Sequence, residues 1–321
     1  MRLAMGYHDK RARRNFIKYS AASLAASFCF PAFSLLSGKP SPAEKPGLLT
    51  KIIPSSKEKL PAIGMGSWIT FNVGQDPVAR QNCVRILAAF FQGGGALIDS
   101  SPMYGSSEEV IGHCLARLQR QARHFSATKI WTPFQGSGIR QVKDSQRLWG
   151  VEKIKLMQVH NLLSWEKHLE TLEKLKAEGQ IKYIGITTSH GRRHREMEKI
   201  MQARELDFIQ LTYNIIDREA ESRLLPLARE KGIAVIANRP FQRKALFHRV
   251  EGKALPASAK AIGCHNWAQY FLKFIISHPD ISCAIPATSQ LAHMQENMAA
   301  LTGAMPDSQF RAEMLSDIRD I

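Results

Sequence analysis

Four polar residues of this chain stand at the ends of short apolar runs and together have the makings of a proton-donating site. Asp99 follows ALI, Tyr104 lies in the next loop, Lys129 sits in ATKIW, and His160 closes IKLMQVH. Singly, each has an ordinary structural reading. An Asp caps a helix, a Tyr is half-buried core, a Lys is solvated, and a His is a hydrogen-bonded filler. As a set they fit one reaction. Reducing a carbonyl adds hydride at carbon and needs a proton at oxygen. A phenol, with a reference pKa of about 10, is a poor acid–base catalyst near neutrality unless its anion is made accessible. A neighbouring ammonium favours the phenolate, and a buried carboxylate keeps that ammonium charged and in place. Asp99 is therefore expected to hold Lys129, Lys129 to tune Tyr104, and His160 to orient the substrate oxygen. A Schiff-base role for Lys129, or a sugar isomerase or aldolase reading, leaves the Asp–Tyr pair without a task.

The elements that must position these residues follow from periodicity. Strand-like runs occur at residues 61–66, 96–100, 127–131, 154–160, 181–187, 207–213, 233–238 and 281–285. Amphipathic stretches of helical length separate several of them, for instance ARQNCVRILAAFFQ and WEKHLETLEKLKAE. Some begin after Asp or Ser and end at Gly, as helix caps require. Short apolar strands alternating with helices predict a parallel sheet under helical cover. Eight such units predict an α/β fold of the closed (β/α)8 TIM-barrel type, with chemistry at the strand ends. No GxGxxG follows the first strand, so an open dinucleotide-binding sheet lacks its marker. The barrel is expected over residues 59–303, followed by a C-terminal helix over 304–321.

Ahead of the barrel, Lys10–Lys18 (KRARRNFIK) is basic and is followed by the mildly apolar YSAASLAASFCFPAF. Charge followed by an apolar run is the arrangement of an export signal. The Arg13–Arg14–Asn15–Phe16–Ile17–Lys18 core resembles a twin-arginine signal, which implies the twin-arginine export machinery as a partner. Residues 1–34 are thus expected to act as this signal and residues 35–58 as a linker. The expected location is the periplasm, membrane-associated if the signal is uncleaved, with the cytoplasm as the alternative. The net charge is +16, and about half of it falls in residues 1–60. The rest is spread thinly, without zinc-finger or basic-helix spacing, so nucleic acid is not an expected partner. The five cysteines are scattered and form no CxxC, which suggests neither a disulfide framework nor a thiolate metal site.

The stretch LIDSSPMYGSSEEVIG, Leu97 to Gly112, resembles the signature of the aldo/keto reductase family, with Lys129 and His160 completing that family's tetrad. The likeness runs from about Leu60 to Leu301. It implies reduction of a small aldehyde or ketone with NADPH (or NADH), with Tyr104 as proton donor and Asp99, Lys129 and His160 beside it. By the same resemblance, Gln210, Thr187 and Thr188 would face the nicotinamide carboxamide, Gly66 and Ser67 its ribose, and Trp68 the substrate. Where many members have a ring-stacking aromatic, this chain has Asn238, with compensation expected from Arg239, by meeting pyrophosphate, or from Phe241, by packing on the ring. Thr288, His293, Glu296 and Asn297 fall at the adenine end. Ala287 stands where many NADPH-preferring members have Lys, which weakens discrimination for the 2′-phosphate. The C-terminal segment, short beside members whose long tail closes over substrate, implies an open pocket; the chain is expected to be a monomer or weak oligomer. The competing reading is an exported cofactor-binding sensor or chaperone-like module with little turnover.

Overall fold

The computed structural model describes residues 47–319. The segment read as an export signal, residues 1–34, lies outside the described residues. The first described elements form a hairpin, β1 (Thr50–Ile52) antiparallel to β2 (Lys59–Pro61). The stretch expected to be a linker to residue 58 therefore contains a strand. Its three residues are too few for periodicity to register.

The barrel strands follow as β3 (Met65–Gly66), β4 (Leu97–Asp99), β5 (Phe125–Ile130), β6 (Ile154–Val159), β7 (Ile181–Thr187), β8 (Phe208–Thr212), β9 (Ala234–Asn238) and β10 (Cys283–Ala284). All eight lie within or against the expected runs, and each is parallel to its sequence neighbour. The helices are α1 (Pro77–Gln92), α2 (Ser107–Arg117), α3 (Gln135–Trp149), α4 (Trp165–Ala177), α5 (His194–Ala203) and α6 (Leu224–Lys231). They continue as α7 (Ala245–Arg249), α8 (Ser258–Ala261), α9 (Trp267–Ile276), α10 (Leu291–Ala299) and α11 (Ser308–Arg319).

The first and last strands meet. Gly64 N donates to Ala284 O at 2.8 Å, Ala284 N to Ala62 O at 2.9 Å, and Gly66 N to Pro286 O at 3.0 Å. A Cβ on Gly66 would stand 3.0 Å from the Ile285 carbonyl, so this close approach favours glycine.

Side chains two apart on a strand share a face, and that rule sets the barrel's interior. Leu97, Phe125, Leu156, Tyr183, Phe208 and Ile236 pack together with Ile53 and Leu60 of the hairpin region, sealing the end where the strands begin. Farther along the same inward rows stand Asp99, Lys129, Gln158, Gln210 and Asn238, buried or half-buried. The interior thus passes from apolar to polar along β4, β5, β6, β8 and β9. The outward rows pack beneath the helices in a second apolar cluster. On the outside, α11 buries Met314 and Ile318, while its Arg311 donates to the Tyr213 hydroxyl at 2.7 Å.

Candidate active site

The polar layer converges on Asp99 at the end of β4. Its Oδ2 accepts from Lys129 Nζ at 2.7 Å, and the same ammonium donates to the Ser100 carbonyl at 2.7 Å. Its Oδ1 accepts from Gln210 Nε2 at 2.9 Å and Gln158 Nε2 at 3.3 Å. Lys129 stands 5.3 Å from the Tyr104 ring centre, and Tyr104 meets the His160 ring edge-on at 5.9 Å. All four tetrad residues are therefore brought together at the barrel mouth. Burial would pull the Lys129 ammonium down, but Asp99, Tyr104 and Glu108 outweigh it and raise its pKa. Lys129 stays a cation.

Burial lifts the Tyr104 phenol above its ordinary value, and the opposing charge of Lys129 does not cancel that. The expected easing toward phenolate is present but outweighed by desolvation. At neutral pH Tyr104 is a protonated donor. His160 is pushed down to about 3 by burial and then by Lys129, so its imidazole is neutral. Its Nδ1 lies 2.9 Å from Ser101 Oγ, a partner that sequence pattern did not single out. With Ser101 donating to Nδ1, the ring hydrogen sits on Nε2 and is free to donate.

The Tyr104 loop is pinned from both sides. Asn72 Oδ1 accepts from Ser106 N at 2.9 Å, and Gly105 turns with φ 61°, where a Cβ would fall 2.3 Å from Asn72 Oδ1. Glu108, buried in α2, accepts from Thr128 Oγ1 at 2.7 Å, Trp149 Nε1 at 2.9 Å and Ser145 Oγ at 3.2 Å. That carboxyl joins α2, β5 and α3 beneath Lys129.

The residues expected at the cofactor divide into groups. Gln210, Asn238 and the Thr188 carbonyl form one network: Asn238 Nδ2 donates to Thr188 O at 2.9 Å and to Gln210 Oε1 at 3.5 Å. Asn238 Oδ1 accepts from Thr212 Oγ1 at 2.8 Å. Thr187 Oγ1 accepts from Asn161 N at 3.0 Å. Ser67 is buried and its hydroxyl bonds Asp99 O and Ser100 Oγ, both at 2.9 Å, so it braces the end of β4. Phe241 is half-buried, pairs with Phe247 at 4.9 Å and packs one side on the core. Trp68 is half-buried beneath the Arg243 guanidinium, 4.0 Å from its ring centre. Thr288 and Asn297 are buried, Glu296 is half-buried and His293 is exposed. Thr288 Oγ1 already accepts from Gln290 N at 3.0 Å.

Arg239 sits at φ 53° with Nη1 2.6 Å from His190 Nε2, while its Nε is buried without a partner. Burial and then Arg243 depress Arg239, and His190 is depressed by burial and by Arg239, Arg243 and Arg192. Cationic groups thus crowd the loops after β7 and β9. His190 and Arg243 had no motif to announce them; only the run SHGRRHR hinted at a basic loop. A separate hollow beside Ile216, Arg218, Glu219, Glu221 and Ser222 is wide open, and its Arg218 and Glu221 pair with each other at 3.6 Å. It holds no tetrad residue.

A closed barrel with an Asp–Lys–Tyr–His group at its strand ends defines a carbonyl-reducing class of enzyme. The aldo/keto reductase family model matches residues 62–313, and the chain belongs to that family. It is 28% identical over 254 residues to the methylglyoxal reductase YeaE of Escherichia coli (strain K12), covering 77% of this chain and 87% of that protein. It is 27% identical over 299 residues to an NADH-specific methylglyoxal reductase of the same organism, covering 78% and 88%. Among solved structures it resembles an aldo/keto reductase from Klebsiella pneumoniae in complex with NADP and acetate. That match has a TM-score of 0.66, 25% identity, and coverage of 80% of this chain and 91% of that one.

Proposed function

We propose that this chain reduces an aldehyde or ketone to an alcohol with a reduced nicotinamide cofactor, Tyr104 delivering the proton. The observation that carries this reading is the buried Lys129–Asp99 pair, 2.7 Å apart, set beside a protonated Tyr104 and a neutral His160. The residues present fit such a cofactor. Arg239, with its partnerless buried Nε, and the neighbouring His190 and Arg243 suit phosphate groups. Gln210, Asn238 and Thr188 offer amide and carbonyl groups to a carboxamide, and Thr288, Glu296 and Asn297 suit the far end. When bound, the cofactor supplies hydride to the carbonyl carbon. His160 Nε2–H orients the carbonyl oxygen, and the Tyr104 hydroxyl moves its proton to that oxygen. Lys129 then stabilises the phenolate left behind, and Asp99 keeps Lys129 in place.

NADPH is favoured by the family resemblance, and the NADH-specific relative supports testing NADH beside it. The two relatives' names make methylglyoxal one carbonyl to assay. A binding-only role is not favoured, since the tetrad is complete. Fluorescence titration with both cofactors, followed by a carbonyl panel read at the cofactor absorbance, tests the proposal. Folded protein that binds neither cofactor would sink it.

We also infer that residues 1–34 direct export to the periplasm through the twin-arginine machinery. What supports this is the Arg13–Arg14 pair placed directly before an apolar run, with the barrel beginning much later. Cell fractionation of Arg13→Lys plus Arg14→Lys should show cytoplasmic accumulation. Identical cytoplasmic distribution of both proteins would refute it.

A further inference from the structure

The floor of the barrel, the end where its strands begin, is charged on one half only. Each helix delivers its last turn and the connection into the next strand to this floor. On the side of β5, β6 and β7, with the hairpin packed against them, residues 51–59, 117–123, 147–155 and 174–182 hold twelve Lys and Arg against three Glu. On the side of β8, β9 and β10 the corresponding stretches, 200–209, 228–235 and 273–284, hold four residues of each sign.

Helix dipoles do not explain the imbalance. They favour cations at every helix C-terminus, yet α5, α6 and α9 lead into balanced charge. Lys57, Lys153, Lys155 and Lys182 stand outside helices altogether, in the hairpin turn, ahead of β6, and on β6 and β7. Lys182 pairs with Glu58 and Lys155 lies 5.5 Å from the Phe125 ring centre. Lys57, Arg123 and Lys153 are exposed and have no ion-pair partner among the described residues.

The hairpin is a fixed platform for this charge. The Tyr183 hydroxyl lies 2.7 Å from both Ser56 Oγ and Glu58 Oε2, and Lys57 N donates to Ile53 O at 2.8 Å. Ile52, 56% exposed, is in register with Lys59, so an apolar side chain and an ammonium share the outward face. The described chain also starts here. Leu49 N donates to Leu301 O at 2.9 Å, and a Cβ on Gly94, in the connection into β4, would stand 2.2 Å from Leu48 Cδ1. What precedes residue 47 is thus joined to the barrel at its floor, and residues 10–33 read basic, then apolar.

We infer that the basic half of the floor seats the barrel on an anionic lipid surface. A sheet of negative headgroups complements many separate cations spread over a face. Ile52 enters the interfacial layer beside its ammonium neighbour. The tetrad lies at the opposite end of the strands, so the mouth stays open to cofactor and carbonyl. A nucleic acid would meet the same charge but would leave Ile52 and the adjoining apolar run without a task. The inference concerns the barrel and goes beyond the export reading, which turns on Arg13 and Arg14.

Vesicle flotation of the full-length chain tests this, with phosphatidylcholine alone and with roughly one third phosphatidylglycerol added. Wild type should partition onto the anionic vesicles and weaken about tenfold as salt rises from about 0.1 to about 0.5 M. Lys57→Glu, Arg123→Glu and Lys153→Glu together should lower partition about tenfold or more. Lys199→Glu, Lys231→Glu and Lys260→Glu make the same charge change on exposed lysines elsewhere and should lower it less than about threefold. Residues 1–46 are common to all these proteins, so the difference between the triples reads the floor alone. Ile52→Ser should cost about threefold at unchanged charge. Melting curves confirm folding. Lys57→Gln plus Lys153→Gln, expected to cost about threefold, replaces the triple if it does not fold. Equal losses in the two triples, loss in neither, or equal binding to neutral vesicles overturns the inference. So does duplex DNA held more tightly than the vesicles and released by the floor triple. Arg13→Lys plus Arg14→Lys keeps the charge and should leave partition unchanged, so failure of the export reading and failure of this one are told apart.

Discussion

Gln210 Nε2 donates to Asp99 Oδ1 at 2.9 Å, tying a side chain expected to face the nicotinamide to the carboxylate that anchors Lys129. The amide is oriented from its other end as well, where Asn238 Nδ2 approaches Gln210 Oε1 at 3.5 Å. The cofactor pocket and the proton-donating group are thus joined through one buried amide. A buried carboxylate left short of donors is costly, so this coupling should be measurable. Gln210→Leu should lower kcat about tenfold and weaken cofactor binding. Gln158→Leu, whose bond to the same oxygen is longer at 3.3 Å, should cost less and leave cofactor binding unchanged. Cofactor titration alongside steady-state kinetics separates the two. Equal loss of binding in both variants would contradict the assignment.

Tyr104→Phe removes the proton donor and leaves the cofactor's surroundings intact. Reduction should fall roughly 10²-fold or more with cofactor affinity preserved. Because the phenol must be protonated and burial raises its pKa, wild-type reduction should hold its rate into alkaline pH. Lys129→Met should show a similar loss together with an altered pH profile. It also strands Asp99 without its cation, so its melting curve must be recorded beside its kinetics. Near-normal reduction by folded Tyr104→Phe protein would remove Tyr104 from its role.

Ser101 Oγ lies 2.9 Å from His160 Nδ1, and a hydroxyl donating there would leave Nε2 to carry the ring hydrogen. Ser101→Ala frees the ring to take the other tautomer. The expected result is a fall of about fivefold in kcat, the worth of one modest hydrogen bond, with the thermal midpoint little changed. A variant as active as wild type would show that the tautomer is set elsewhere.

His124 predicts a pH effect on stability rather than on catalysis. Its Nδ1 lies 3.0 Å from Arg120 O, its ring stacks on Trp149 at 5.7 Å, and its Nε2 is buried without a partner. Burial accordingly pushes its pKa down to about 4. The unfolded chain, titrating at about 6.5, binds the proton more readily. Stability is therefore full above that value and declines as pH falls toward 4, by about 3 kcal/mol for this group. His124→Phe keeps the ring stacking and should flatten that acid decline. Urea midpoints from pH 7.5 to 4 check it; an unchanged acid slope would count against the partnerless nitrogen.

The strand runs, the tetrad and the family signature were legible because they are local: an inward row alternates with period two, and the motif at Asp99–Gly112 is contiguous. The apolar-to-polar change along such rows, from Leu156 to Gln158 or Phe208 to Gln210, is also written in the strands themselves. What tertiary structure alone decided is which polar atoms spend themselves on one another. The Ser67 hydroxyl is taken up by Asp99 and Ser100, 32 and 33 residues away. Phe241 takes Phe247 and the core as its neighbours, contacts no motif announced. Tyr104 was expected to lean toward phenolate, yet desolvation by the assembled barrel outweighs the charge of Lys129. The meeting of Arg239 with His190, and of Arg243 with Trp68, joins residues 49 and 175 positions apart. A sequence fixes residue types and local period, but hydrogen-bond partners and burial depend on distances that exist only once the sheet has closed.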